Sequence, residues 1–277
     1  MLMLSEPKRF SIDIDIIVPD ISQDIELYLD QVIRNSDFVK YKLNERKAKS
    51  NIDKAHYKFY YKPVAKTRAE SEYILLDVLY EKNHYGEHTC EILVNSLFIL
   101  SEGEDVTLTV PLPEAILGDK LTAYAPNTTG IPYEREKEVE IIKQLFDIGQ
   151  LFDLVENIDI ISNVFDQFAR TELKYRGLDQ SPSDVLEDVY QTGIVIGTRG
   201  KSGEGKFDEL QKGIKNIRNF IFSENFHLDK AMISAAKAAY ITAILRTNEK
   251  ELNRYSDPQE IADWNIEQPF EARLNRY

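Results

Sequence analysis

The stretch Arg9-Phe10-Ser11-Ile12-Asp13-Ile14-Asp15-Ile16-Ile17-Val18 alternates apolar and polar side chains. Such an alternation is typical of a half-buried β-strand, in which successive side chains point to opposite faces. Asp13 and Asp15 would therefore share one face, where two carboxylates repel each other unless a cation lies between them. Mg²⁺ prefers oxygen ligands and commonly keeps phosphate oxygens among them. The pair predicts a magnesium–nucleotide site on a strand.

A third acid interrupts an apolar strand further along the chain. Asp77 lies within Tyr73-Ile74-Leu75-Leu76-Asp77-Val78-Leu79-Tyr80, and a lone acid in such a run is costly to bury unless it is paired with a cation. If this strand neighbours the first, Asp77 would join Asp13 and Asp15 as the third carboxylate of a nucleotidyl-transfer site. The alternative is that all three acids belong to an ordinary solvated strand face.

Composition sets the class of protein. The 277 residues suffice for one large domain or two smaller ones, with 43% hydrophobic and 29% charged residues, as in soluble globular proteins. No apolar run is long enough to span a membrane, and the N-terminus becomes polar too soon for a secretory signal. One cysteine excludes an internal disulfide framework, so a cytoplasmic protein is predicted.

The net charge of −13 argues against non-specific binding to nucleic acid through the whole surface. Any contact with nucleic acid would need a local basic patch. The most basic local stretch contains Lys201, Lys206, Lys212, Lys215 and Arg218, which makes it a candidate surface for an RNA acceptor.

Strand patterns fill the first part of the chain, and helical spacing dominates from Pro113 onward. Strands are predicted at Phe10–Val18, Val39–Leu43, His56–Tyr61, Ser71–Tyr80, Cys90–Leu100 and Val106–Val110. Helices are predicted at Ile21–Ile33 with Asp20 as N-cap, Pro113–Tyr124, Glu138–Val155, Ile160–Tyr175, Pro182–Ile196, Phe207–Phe222 and Leu228–Leu245. These patterns predict an α+β protein with an α/β domain at residues 1–125 and a helical domain at residues 126–277.

Three segments carry a family resemblance that covers the chain to about residue 155. They are Arg9-Phe10-Ser11-Ile12-Asp13-Ile14-Asp15-Ile16, Leu117-Gly118-Asp119-Lys120-Leu121-Thr122-Ala123 and Ile141-Ile142-Lys143-Gln144-Leu145-Phe146-Asp147-Ile148. Their order and spacing resemble the AbiEii/AbiGii toxin family of nucleotidyltransferases, in the polymerase-β-like superfamily. The resemblance implies a mixed β-sheet with flanking helices, followed by a helical C-terminal domain.

The same resemblance implies a toxin of a toxin–antitoxin or phage-defence system. It would transfer NMP from NTP to an RNA acceptor such as tRNA, and an antitoxin would be its protein partner. By the resemblance, Asp13, Asp15 and Asp77 would hold Mg²⁺. Lys120 would face the triphosphate or the acceptor, Lys143 would help to bind the nucleotide, and Asp147 would support the catalytic cleft.

Two departures from the family pattern bear on activity. The eight residues before Arg9 contain no glycine, so the Gly-Gly-Thr/Ser segment whose backbone N–H groups grip the triphosphate is expected to be missing. Gln144 also stands where many members carry an acid. The alternative function is therefore a catalytically impaired or inert homologue that acts through protein partners such as an antitoxin. A small-molecule nucleotidyltransferase of the antibiotic-modifying kind is a third option.

The segment Gly200-Lys201-Ser202-Gly203-Glu204-Gly205-Lys206-Phe207 matches the first seven positions of a phosphate-binding P-loop. Phe207 replaces the Ser or Thr whose hydroxyl would bind Mg²⁺, and the surrounding pattern is helical. A loop between two helices is the favoured interpretation.

Overall fold

The computed structural model describes residues 7–11, 13–20, 24–44, 54–65, 70–95, 103–254 and 257–265. Contacts divide the described residues into two compact units. One unit comes from Phe10–Gly86, and the other comes from Met1–Arg9 together with Glu87–Tyr277. The domain boundary after Ala125 stays a prediction.

The Phe10–Gly86 unit is built on a four-stranded sheet. Its strands are β1 (Asp13–Ile17), β2 (Phe38–Leu43), β3 (Lys54–Tyr61) and β4 (Glu72–Leu79). Their order in the sheet is β1-β4-β3-β2, with β1 parallel to β4 and the other two pairs antiparallel. The four predicted strands of this region are confirmed, although Ile12 lies outside the described residues.

Helix α1 (Ile25–Arg34) covers one face of this sheet. Asp24, and not Asp20, is its N-cap, because the Asp24 carboxylate accepts a hydrogen bond from the Glu26 backbone N–H. The predicted start at Ile21 falls among residues that are not described. Apolar side chains of the helix and sheet form a small core, whose fully buried members are Ile25, Leu29, Tyr57, Phe59 and Val78.

The second unit contains a two-stranded antiparallel ribbon, β5 (Thr89–Leu93) and β6 (Thr107–Pro111). Both predicted strands are confirmed, and β5 is shorter than predicted within the described residues, because Val94 and Asn95 follow it outside the strand. The last predicted residues of that strand, 96–100, lie outside the described part of the chain.

Seven helices in all are found among the described residues, six of them in the second unit. These are α2 (Pro113–Ala123), α3 (Glu138–Phe152), α4 (Ile158–Arg176), α5 (Pro182–Gly197), α6 (Phe207–Asn216) and α7 (Leu228–Thr247). Short 3₁₀ helices follow at Ile217–Asn219 and Pro258–Ile261. Each of the six helices was predicted, and their ends differ by at most three residues except in α6. The predicted end of α6 at Phe222 is wrong, because the α-helix ends at Asn216 and the chain continues in the 3₁₀ helix Ile217–Asn219.

Local sequence fixes several of these helix ends. Ser181 and Asp184 form a reciprocal capping box at the start of α5, where Pro182 occupies the first turn. Gly177 ends α4 in the left-handed conformation, with φ of 63°. The predicted loop after Tyr124 is held by Asp188 of α5, which accepts hydrogen bonds from the Asn127 backbone, the Asn127 side chain and Thr128.

The helices surround one large hydrophobic core that contains Leu117, Phe146, Ile161, Val189 and Ile241. The α+β fold class is thereby confirmed. Across the described helices, none is both long and apolar enough to cross a membrane.

Candidate functional site

The three candidate metal-binding acids lie on neighbouring strands. The β1–β4 register pairs Asp15 with Asp77 and Asp13 with Leu75. Residues paired directly across a ladder share a face, and so do residues two apart on one strand. Asp13, Asp15 and Asp77 therefore belong to one face of the sheet, opposite the face that packs on α1. The adjacency that the sequence could only assume is present in the fold.

A histidine accompanies the third acid. The β3–β4 register pairs His56 with Asp77, and His56 Nδ1 lies 2.7 Å from Asp77 Oδ1. Both side chains are partly buried, 18% exposed for His56 and 31% for Asp77. Asp15, Asp77 and His56 thus form one row across three strands. Sequence reasoning missed His56, although its position in an alternating strand was a usable signal.

The donor chemistry suits a hard divalent cation, since Asp13, Asp15 and Asp77 offer carboxylate oxygens. The carboxylate side chains are, however, not arranged as a formed metal site. Within the described ranges, no three His, Cys, Asp or Glu side chains come close enough together to hold one ion. A magnesium ion at this face would therefore need the carboxylates to turn toward each other, and Asp77 to keep or exchange its contact with His56.

Asp147 and Lys120, the other two candidate catalytic residues, meet in the helical unit. The Arg9 guanidinium donates two hydrogen bonds to Asp147, Nε to Oδ1 at 2.7 Å and Nη2 to Oδ2 at 2.6 Å. Lys120 Nζ lies 3.4 Å from Asp147 Oδ2 and donates to Gln144 Oε1 at 2.9 Å. The residue that replaces the family's acid, Gln144, is thus a partner of Lys120.

The environment of Asp147 favours its charged form. Burial raises the pKa of this carboxyl, but the Arg9 hydrogen bonds and the positive charge of Lys120 outweigh burial and lower it overall. Asp147 therefore remains an anion that holds two cations, Arg9 and Lys120, in fixed positions.

Lys143 points elsewhere. Its ammonium pairs with Glu140 at 2.9 Å and lies 3.9 Å from the centre of the Phe220 ring. These contacts occupy the side chain that was predicted to bind the nucleotide, and its role stays a prediction.

The P-loop-like segment 200–207 connects α5 to α6, as expected for a loop between helices. Ile194–Ile196, which a P-loop would need as a strand, forms the end of α5. Gly203 has φ of 89°, and a Cβ there would lie 2.7 Å from the Gln191 carbonyl oxygen. The glycine therefore permits a close approach to α5, which gives it a structural role.

The basic stretch that was a candidate RNA surface is partly neutralised. Lys206 pairs with Glu134, and Lys212 pairs with Glu138. Lys215 and Arg218 line a cavity of about 560 Å³ together with His227. This surface stays a prediction.

Comparison with known proteins relates the chain to one family. The family model described as nucleotidyl transferase AbiEii toxin, type IV toxin–antitoxin system, matches residues 1–263. No curated protein sequence matches. Among solved structures, a candidate nucleotidyltransferase from Helicobacter pylori has a TM-score of 0.47 and 14% identity over 88% of this chain and 83% of that chain. The Helicobacter pylori protein JHP933 has a TM-score of 0.43 and 12% identity over 87% of this chain and 77% of that chain.

Proposed function

Because the chain belongs to the AbiEii nucleotidyl transferase toxin family of type IV toxin–antitoxin systems, we propose that it transfers a nucleoside monophosphate from an NTP to an RNA acceptor, with Mg²⁺ as cofactor. Transfer RNA is the acceptor class that the family resemblance indicates. The single observation that supports this most strongly is the register of Asp15 with Asp77, on the face that also carries Asp13.

The reaction exchanges one phosphate ester bond for another. A hydroxyl oxygen of the RNA attacks the α-phosphorus of the NTP and forms a new oxygen–phosphorus bond. The bond from the α-phosphorus to the oxygen that bridges to the β-phosphate breaks, pyrophosphate leaves, and the hydroxyl proton passes to solvent. When bound, Mg²⁺ supplies positive charge at the α-phosphate and lowers the pKa of the attacking hydroxyl.

The protein groups divide this work. Asp13, Asp15 and Asp77 provide the oxygen ligands, and His56 orients Asp77 through its 2.7 Å contact. Lys120 is proposed to contact a phosphate of the nucleotide or the acceptor. An ammonium carries three N–H donors, so Lys120 can keep Gln144 and Asp147 and still donate to a phosphate oxygen. Asp147 then positions Lys120. For Lys143 to bind the nucleotide, its ammonium would have to leave Glu140.

The same family membership implies an antitoxin partner, and we propose a cytoplasmic location, where NTPs and tRNA are available. The alternative function is an inert homologue that acts only through such a protein partner. The observation that favours this alternative is that, in the part of the chain that the structure describes, no three His, Cys, Asp or Glu side chains lie close enough together to hold one ion.

One experiment separates the two. Purified protein is incubated with each labelled NTP, Mg²⁺ and total tRNA, and the wild type is compared with Asp13→Asn, Asp15→Asn and the control Asp37→Asn, an exposed acid in the turn before β2. We expect wild type and Asp37→Asn to label RNA, and the two site variants to lose about 100-fold or more in rate. Absence of both labelling and Mg²⁺–NTP binding at high protein concentration would contradict the transferase proposal.

A further inference from the structure

The sheet face that carries the acids also carries a group of lysines and tyrosines. Register pairs Lys42 with Lys58 and Lys40 with Tyr60 between β2 and β3, and Tyr60 with Tyr73 between β3 and β4. His56 is two residues from Lys58 on β3, so all these side chains share the face of His56 and Asp77. We call the group formed by Lys40, Lys42, Lys54, Lys58, Tyr60 and Tyr73 the lysine–tyrosine strip.

Contacts within the strip join its positive charges to its rings. The ammonium of Lys58 lies 4.5 Å from the centre of the Tyr73 ring, and that of Lys40 lies 5.3 Å from the Tyr60 ring. The two rings are themselves neighbours, 5.9 Å apart with an interplanar angle of 55°. The two tilted rings are thus neighbours, and each has a lysine ammonium over one of its faces.

The strip is accessible to a ligand. Lys40, Lys42 and Lys54 are exposed, and Tyr73 is 43% exposed. On the described strands of this face, the acids belong to β1 and β4, whereas the lysines belong to β2 and β3. The carboxylates and the ammonium groups of this face therefore belong to different strands, and the two tyrosines lie on β3 and β4.

We propose that the lysine–tyrosine strip binds an unpaired RNA strand through its phosphates and stacked bases, and that this strand is the acceptor of the reaction. The acceptor role rests on the proposed function, but the binding of RNA does not. Lysines attract phosphates, and tyrosine rings stack on unpaired bases without regard to sequence. Because the chain has a net charge of −13, contact with nucleic acid requires a local basic patch, and the lysines of the strip provide one.

An RNA strand fits the strip better than a free NTP does. Lys54 and Lys58 are four residues apart on β3, which corresponds to about 13 Å of strand length, and the remaining lysines lie on the next strand. A single triphosphate is too short to bridge all of them. An extended strand offers one phosphate for each nucleotide and several bases for the two rings.

Binding is measured first without NTP, so that catalysis plays no part. Fluorescently labelled single-stranded RNA and a blunt RNA duplex are titrated with wild type, the double variant Lys40→Glu/Lys42→Glu, and the control Arg34→Glu/Lys82→Glu. The control makes the same change of charge at exposed positions of α1 and of the turn after β4. Circular dichroism and Tm show whether each variant is folded, and Lys40→Gln/Lys42→Gln replaces the double variant if it is not.

We expect Lys40→Glu/Lys42→Glu to weaken single-strand binding by about tenfold or more, and to reduce the slope of log K against log salt by about 1.4. Tyr73→Leu should weaken binding by about 5- to 100-fold, whereas Tyr73→Phe should keep it. The proposal is overturned if the double variant behaves as the control does, if Tyr73→Leu binds as wild type does, or if the duplex binds as tightly as the single strand.

A second measurement separates this proposal from the proposed function. If wild type binds RNA through the strip but incorporates no nucleotide, the transferase proposal fails and the RNA-binding strip stands. If wild type incorporates nucleotide and Lys40→Glu/Lys42→Glu leaves the KM for RNA unchanged, the proposal that the lysine–tyrosine strip binds the acceptor RNA is wrong and the transferase proposal stands.

Discussion

His56 Nδ1 and Asp77 Oδ1 lie 2.7 Å apart on the antiparallel strands β3 and β4, and Asp77 is in turn the register partner of Asp15 on the parallel strand β1. The contact ties Asp77 Oδ1 to the imidazole of His56. A metal ligand that is oriented in this way by a neighbouring group holds its ion more firmly.

The first prediction concerns that contact. His56→Ala should weaken Mn²⁺ or Mg²⁺ binding and raise the metal concentration needed for transfer by about 10- to 100-fold. His56→Asn, whose amide N–H can replace Nδ1, should restore part of the loss. Metal titrations followed by electron paramagnetic resonance with Mn²⁺ would measure this. Equal metal affinity in wild type and His56→Ala would show that His56 does not position Asp77.

The second prediction concerns the ion cluster around Asp147. Asp147→Asn removes the charge that holds Arg9 and Lys120 together, and leaves two partly buried cations close to each other. We expect the free energy of unfolding at pH 7 to fall by about 2–4 kcal/mol. Asp166→Asn, which breaks an exposed pair with Arg170 on α4, is the matched control and should change the free energy of unfolding by less than about 1 kcal/mol.

The same cluster predicts a dependence on pH. The pKa of Asp147 is lowered in the folded protein, from an ordinary value of 3.8. Its contribution to stability is therefore complete above the unfolded pKa, and is lost as the pH falls through the lowered pKa. Denaturant unfolding is measured from pH 7 to pH 3. The difference in the free energy of unfolding between wild type and Asp147→Asn should stay constant over most of this range and begin to shrink only near the ordinary carboxyl pKa of 3.8. If this difference in the free energy of unfolding disappeared between pH 7 and pH 5, the lowered pKa of Asp147 would be contradicted.

The third prediction concerns the loop after α2. Asp188 is buried, and its carboxylate accepts hydrogen bonds from two N–H groups of Asn127 and from the Thr128 hydroxyl. Asp188→Ala should cost about 2–4 kcal/mol in the free energy of unfolding, because these donors lose their acceptor in a partly buried site. Asp179→Ala, at an exposed position before α5, should be nearly neutral. Similar Tm values for the two variants would refute the loop-anchoring role.

The fourth prediction concerns the contact between α3 and α6. A Cβ on Gly213 would lie 2.4 Å from the Glu138 carbonyl oxygen, whereas a Cβ on Gly197 would meet nothing within 4 Å. Gly213→Ala should lower the free energy of unfolding by about 1–3 kcal/mol, since backbone on both sides must shift. Gly197→Ala should leave it unchanged or raise it. Thermal unfolding of the two variants side by side is sufficient to test this.

Local sequence accounts for most of the secondary structure. The alternation around Asp13 predicts strand β1, and the spacing of apolar residues after Pro113 predicts the helices, because each pattern depends on residues close in the chain. The sequence pattern predicts Asp20 as the N-cap of α1, and this prediction is wrong. Several polar residues precede the helix, and only the backbone geometry shows that Asp24 accepts the capping hydrogen bond.

The sequence by itself determined that Asp13 and Asp15 share a strand face, because a strand's side chains alternate with a period of 2. Only the tertiary structure decided that Asp77 and His56 join them, and that Lys40, Lys42 and Tyr60 share that face. The same holds for the meeting of Arg9, Lys120 and Asp147, which are far apart in the chain. The physical reason is that strand register and helix packing depend on which distant segments bury their apolar sides together, and no local pattern specifies that choice.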